Sequence, residues 1–220
     1  MKVLILAAGD GVRWNNYRDI PKHLVTIENQ VLLNRTTNQF LKYTKDVVIV
    51  GNDERYSVEG ATLVIPVKEK GSWCEMDKFA SSLDLWGDEQ TVVVFGDVYF
   101  TDEAVDLISQ GVESWMCFCR TKPSKITGKD CKEIFAFSFN SCFYNEAKLA
   151  IKYLLNYEPE IKSAGGWSLF RYLTVGSPEK NRGEAYDSSR FVEIDDWTED
   201  FDYPKDLDIW EAKRSYKFFL

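Results

Sequence analysis

The chain opens on a continuous apolar run, Lys2–Ala8, as expected for a strand buried on both faces of a parallel sheet. Asp46–Gly51 (DVVIVG) and Ala61–Val67 (ATLVIPV) predict a second and a third buried strand, and Thr91–Phe100 (TVVVFGDVYF) a fourth. Between them the period changes. Leu32, Leu33, Thr36, Phe40 and Tyr43 recur at helical spacing, as do Met76, Phe79, Ala80, Leu83 and Trp86 within Glu75–Trp86. The segment TDEAVDLISQG predicts a capped helix, with Thr101 as N-cap, acids in the first turn and Gly111 past its end. The rhythm β-α-β-β-α-β-α indicates an open, mainly parallel sheet with helices on both faces. In the second half, SWMCFCRT and CKEIFAFSFN predict strands, and YNEAKLAIKYLLNY and GWSLFRYLT predict helices. RFVEID predicts a last strand, and a final helix starts near Lys205.

Composition narrows this picture. The chain has 220 residues, 45% of them hydrophobic, which suits one globular α/β domain. No repeat, low-complexity segment or linker divides it. A formal net charge of −8 argues against a nucleic-acid binder. Five cysteines (Cys74, Cys117, Cys119, Cys131 and Cys142) form no CxxC pair, and free thiols in a reducing cytoplasm are expected. The single histidine, His23, excludes multi-histidine zinc sites. No stretch approaches the ~20 apolar residues of a membrane span. The expected protein is therefore soluble and cytoplasmic, with no membrane and no nucleic-acid partner.

The chemistry concentrates after the first strand. Gly9 and Gly11 allow backbone N–H groups to approach a phosphate closely. GxxxxGK[ST] is absent, and GxGxxG fails because position 14 is Trp. What stands here is Leu6-Ala7-Ala8-Gly9-Asp10-Gly11-Val12-Arg13, followed by Pro21-Lys22. This LAAGxGxR…PK combination resembles the signature of the nucleotidyltransferase superfamily: sugar-1-phosphate nucleotidyltransferases, phosphocholine cytidylyltransferases and molybdopterin guanylyltransferase-like (MobA-like) NTP transferases. The resemblance implies a Rossmann-like three-layer sandwich with a mixed, mainly parallel central sheet, of the nucleotide-diphospho-sugar transferase type. It implies one domain over residues 1–220, with a nucleotide-binding half (1–110) and an acceptor-binding half (111–220).

The resemblance also assigns roles. Leu6, Ala7, Ala8, Gly9 and Gly11 would surround the nucleotide, the two alanines leaving room for base and ribose. Arg13 would grip the β- and γ-phosphates, and Lys22 would neutralise charge developing at the α-phosphate. Arg18 is a further phosphate candidate, and His23 is expected to shape the loop. Gly71 and Ser72, before the second predicted helix, would help choose the base. Asp97 stands at the end of a central strand, where α/β sheets bind ligands, and in the resembling family an aspartate there binds Mg²⁺. A second carboxylate is expected. Matching DYPKDL gives that role to Asp202, with Asp195, Asp196 and Asp200 near enough to compete and Asp206 in the first turn of the following helix.

The acceptor pocket is expected from Gly165–Phe170 (GGWSLF), with Trp167 as pocket wall or core. Asp77 or Glu133 would face an amine or sugar hydroxyls, a choice the sequence leaves open. The expected activity is Mg²⁺-dependent coupling of an NTP to a phosphorylated small molecule, giving NDP-X and pyrophosphate, by a chain that leaves a homodimer open. Two alternatives are a glycosyltransferase of related fold and a non-catalytic nucleotide or sugar-nucleotide sensor. The first lacks DxD after the central strand, where the chain reads Asp97-Val98-Tyr99; Asp200-Phe201-Asp202 has those letters far along the chain. The second is at odds with Arg13, Lys22 and Asp97 occurring together.

Overall fold

The computed structural model describes residues 1–67, 73–156, 165–178 and 187–217. Its strands are β1 (Lys2–Ala7), β2 (Thr26–Ile27), β3 (Gln30–Val31), β4 (Val47–Gly51), β5 (Thr62–Val64), β6 (Gln90–Phe95), β7 (Val98–Tyr99), β8 (Trp115–Arg120), β9 (Glu133–Asn140), β10 (Phe191–Glu193) and β11 (Glu199–Asp200). Its helices are α1 (Leu32–Phe40), α2 (Glu75–Ser82), α3 (Asp102–Ile108), α4 (Tyr144–Asn156), α5 (Gly166–Val175) and α6 (Pro204–Lys217).

A seven-stranded sheet runs in the order β10-β8-β9-β6-β1-β4-β5. Every neighbouring pair is parallel except the two made by β9. The fold is thus α/β with a mixed, mainly parallel sheet, and strands from both ends of the chain share it. β1 lies centrally between β4 and β6, and Val3 to Ala7 are fully buried, which explains their unbroken apolar run. The crossover through α1 leads from β1 to β4, and the one through α2 leads back past β1 to β6. Right-handed crossovers in opposite directions put their helices on opposite faces. The strand order reverses beside β1, so the crevice opens where the C-terminal ends of β1 and β6 adjoin, with Leu6 paired to Phe95. Because β9 is antiparallel, its first residue, Glu133, arrives at this same edge, opposite Arg120.

Two predicted strands differ from the structure. Ala61–Val67 is not a buried strand. Only Thr62–Val64 pairs, at the sheet edge, and Ile65 and Val67 are exposed. Pro66 has no N–H to continue a ladder. Thr91–Phe100 is not one strand but two, because the chain turns at Gly96-Asp97. There Gly96 N–H donates to Leu6 C=O at 2.9 Å, and β7 leaves to pair antiparallel with β11. Tyr43 lies beyond the end of α1 and is exposed. Thr101 caps α3 as expected, its hydroxyl accepting from Ala104 N–H at 3.0 Å.

A second apolar cluster lies beside the main core. It joins Trp14 of the glycine loop to Phe201, Leu207 and Trp210 of the C-terminal region. The side chain that breaks GxGxxG is therefore a buried anchor, and its Nε1–H donates to Ile20 C=O at 3.0 Å. The loop it holds runs in short 3₁₀ turns rather than a helix. Gly11, Asn15, Asn16, Arg18 and Asp19 all have positive φ. The cysteines are free, and no helix among the described residues is long and apolar enough to cross a membrane.

Candidate active site

The glycine loop, the β6–β7 turn, β11 and the start of β9 converge on a cleft of about 570 Å³. Arg13, Lys22, Asp97, Glu133, Asp200 and Asp202 all line it. Asp97 sits in the β6–β7 turn, where its carboxylate forms an ion pair with Lys22 Nζ, both side chains being mostly buried. Arg13 Nη1 donates to Asp202 Oδ2 at 2.6 Å, 189 positions away in sequence.

β11 owes its position to a buried anchor. Glu199 is fully buried and accepts from Arg120 Nη2 at 2.9 Å and from the Ser124 hydroxyl. A carboxylate removed from water needs such paired donors. With Glu199 fixed, its neighbours Asp200 and Asp202 are held at the cleft. The competing acids are engaged elsewhere. Asp195 pairs with Lys125 at 2.7 Å, and Asp196 accepts from the Thr101 hydroxyl at 2.5 Å. Asp206 lies in the first turn of α6, buried and paired with Lys129 at 2.7 Å.

The cleft is electrostatically tense. Burial alone would raise the Asp97 carboxyl, but the Lys22 and Lys78 ammonium groups hold it well below the usual carboxylate range. Burial would lower the Lys22 ammonium, yet Asp97, Asp200 and Asp202 keep it above its ordinary value. Asp200 is pushed well up, first by burial and then by the charges of Asp97 and Asp202. Glu75 is pushed up to about 7, chiefly by burial, against Lys78 and the Gly166 N–H. His23 is lowered to about 3 by burial, so its ring is neutral; Nδ1 lies 3.2 Å from the Tyr56 hydroxyl.

The other expected residues fall as follows. Leu6, Ala7 and Ala8 are buried and do not line the cleft. Leu6 sends its side chain into the core. Arg18 does not line the cleft either. It is bound to Glu211 of α6 through both terminal nitrogens, at 3.0 and 3.3 Å. Asp77 closes the capping box of α2, accepting from Cys74 N–H at 2.8 Å. Trp167 lines the cleft and also packs edge-on against Phe170 of the core. Gly71 and Ser72 lie outside the described residues.

Three charged cleft residues were not singled out by sequence. Glu75 and Lys78 sit on the polar side of α2, and Arg171 on α5. The α2 pattern carried a signal for the first two, since polar residues opposite an apolar stripe normally face water and these face the crevice. Among the described residues, Glu133, Asp200 and Asp202 form a carboxylate trio whose oxygens lie within 4.8 Å of one another. Asp97, expected as a metal ligand with Asp202, is outside that trio and turned toward Lys22. All are hard oxygen donors, the type Mg²⁺ takes.

A family model for the MobA-like NTP transferase domain matches residues 3–123. The chain belongs to the MobA-like NTP transferase family. No curated protein matches this transferase. Its fold is similar to that of 2-C-methyl-D-erythritol 4-phosphate cytidylyltransferase from Thermus thermophilus, with a TM-score of 0.64, 16% identity and 98% of each chain covered. It is also similar to CTP:phosphocholine cytidylyltransferase from Streptococcus pneumoniae, with a TM-score of 0.60, 14% identity, and 97% of this chain and 98% of that one covered. UDP-glucose pyrophosphorylase aligns with a TM-score of 0.63 at 11% identity, again over 98% of each chain.

Proposed function

We propose that this nucleotidyltransferase couples an NTP to a phosphorylated small molecule, with Mg²⁺, releasing pyrophosphate and NDP-X. The observation that carries this is the convergence of four cations, Arg13 and Lys22 of the glycine loop among them, and five carboxylates on one cleft at the strand-order reversal. A cytoplasmic setting is supported by the five free thiols.

Gly9 and Gly11 offer backbone donors to the triphosphate, and Arg13 takes the β- and γ-phosphates. An oxygen of the acceptor phosphate attacks the α-phosphorus. The α–β bridging bond breaks and its electron pair leaves with pyrophosphate. The acceptor phosphate is already ionised, so the chain supplies no general base. Lys22 balances the charge that grows on the α-phosphate oxygens, a buried fixed cation being effective where water is excluded. Asp97 and Asp202, with Asp200 and Glu133 beside them, would hold the metal, whose chemistry is charge neutralisation on the phosphates. Asp97 also orients Lys22 through their ion pair.

Asp200-Phe201-Asp202 reaches this cleft through strand pairing, which gives a glycosyltransferase the carboxylate pair its sequence position denied it. The loop cations favour nucleotidyl transfer over it, because a preformed nucleotide sugar has no γ-phosphate for Arg13 to hold.

A pyrophosphate-release assay tests the proposal by crossing four NTPs with phosphocholine, phosphonates and several sugar 1-phosphates, with and without Mg²⁺. Turnover with at least one pair is expected, falling at least ~100-fold in Lys22→Ala. Tight nucleotide binding without turnover of any pair would reject it in favour of a sensor.

A further inference from the structure

The first turn of α2 stands between the two ends of the cleft. At one side, Glu75 Oε1 accepts from Gly166 N–H at 2.8 Å, at the start of α5 in the acceptor half. Three residues on, Lys78 reaches the nucleotide loop. A Cβ placed on Gly9 would stand 3.2 Å from Lys78 Nζ.

The other cleft cations are engaged. Lys22 is paired with Asp97 and Arg13 with Asp202, while Arg171 donates to Pro178 C=O at 2.9 Å. The Lys78 ammonium makes no hydrogen bond or ion pair with another described residue, although its charge reaches Asp97 and Glu75. An uncommitted ammonium beside the nucleotide loop, in a cleft that Gly165 and Gly166 of the acceptor half also line, is placed for an anion that arrives with the substrates. In-line transfer brings two phosphates into bonding distance, and their repulsion grows as water leaves. A cation at the junction offsets it.

We propose that Lys78 is a catalytic residue whose ammonium binds the phosphate of the attacking acceptor and holds it against the α-phosphorus. This rests on the nucleotidyl transfer proposed above. Lys78 stays protonated throughout; the only bonds exchanged are the new acceptor oxygen–α-phosphorus bond and the broken bond to pyrophosphate.

The test compares wild type with Lys78→Met and Lys78→Arg. For a substrate pair that the wild type turns over, Lys78→Met should lower acceptor kcat/KM about 100-fold and leave the NTP KM within about threefold. Lys78→Arg should recover at least about tenfold, since the charge is kept while the geometry changes. A lysine needed only for folding would lower the active fraction and leave both KM values alone. A second readout needs no turnover. Tryptophan fluorescence follows titration with inorganic phosphate in the presence of Mg²⁺ and an α,β-methylene NTP, and Kd should weaken about tenfold in Lys78→Met.

Equal phosphate Kd in wild type and Lys78→Met, or Lys78→Met turnover within about twofold of wild type, overturns the role of Lys78. A loss confined to the NTP overturns its assignment to the acceptor. A wild type that binds phosphate through Lys78 yet turns over no pair overturns the transfer reaction and supports the phosphate contact.

Discussion

Lys22 and Asp97 form an ion pair with side chains only 11% and 13% exposed. Removing one partner strands the other charge away from water, which costs about 3–5 kcal/mol, whereas neutral replacement of both is often close to neutral. Lys22→Met leaves the buried Asp97 without its ion-pair partner, with the charge of Lys78 beyond ion-pair distance, so this variant should lose about 3–5 kcal/mol. Asp97→Asn leaves Lys22 with Asp200 and Asp202 still in reach, so its loss should be smaller, about 1–3 kcal/mol. The double variant should lose no more than Lys22→Met alone, which makes the coupling energy at least about 1–3 kcal/mol. Urea unfolding followed by tryptophan fluorescence measures all four proteins, with a common m-value as the check on two-state behaviour. Additivity within about 0.5 kcal/mol would refute a buried, mutually compensating pair. So would Asp97→Asn being the more damaging single change.

Trp14→Ala should cost about 3–5 kcal/mol by opening a cavity under the glycine loop, and should lower turnover at temperatures where the protein stays folded; urea titration with a parallel pyrophosphate assay checks both. Glu75 at about 7 lies above its ordinary 4.5, so its contribution to stability is complete below about pH 4.5 and is lost as pH rises through about 7. Wild type should lose on the order of 2–3 kcal/mol across that window relative to Glu75→Gln, and urea midpoints at pH 4.5 to 7.5 that run parallel in the two proteins would contradict it. Chelation by EDTA should abolish pyrophosphate release and excess Mg²⁺ restore it, with Asp202→Asn needing more Mg²⁺ for half-maximal rate; EDTA-resistant turnover would exclude the metal.

The interior strands were legible because burial on both faces leaves a local trace: nothing polar is tolerated between Val3 and Ala7 or Val47 and Val50. The edge at Thr62–Val64 was not, since a short apolar run does not record how many neighbours it has. The Gly96-Asp97 turn was hidden for a related reason. Val98 and Tyr99 continue the β pattern but pair with a segment a hundred positions away, and that pairing brings Asp200 and Asp202 in. Spacing alone therefore left four acids in competition; contacts with Lys125 and Thr101 engage Asp195 and Asp196, and Asp200 and Asp202 both reach the cleft. Arg18 shows the converse limit. A cation in a phosphate loop reads as a phosphate contact until α6 supplies Glu211. Lys78 carries little signal in the sequence, because a polar residue opposite the apolar stripe of α2 reads as solvent-facing.

The clasp between Trp14 and the Phe201–Trp210 region bears on the order in which a ribosome delivers this protein. By the time residue 140 has emerged, β1, β4, β5, β6, β8 and β9 are all available, enough for most of the sheet to form. The loop that follows β1 would still lack its anchor, and Arg13 its carboxylate, because Phe201, Asp202 and Trp210 are not yet made. Nascent chains would then present a formed platform with an unfastened loop, inert toward substrate until β11 and α6 dock. Cleft formation is thereby tied to synthesis past α6, and a chain stalled before residue 200 would hold an unfinished cleft.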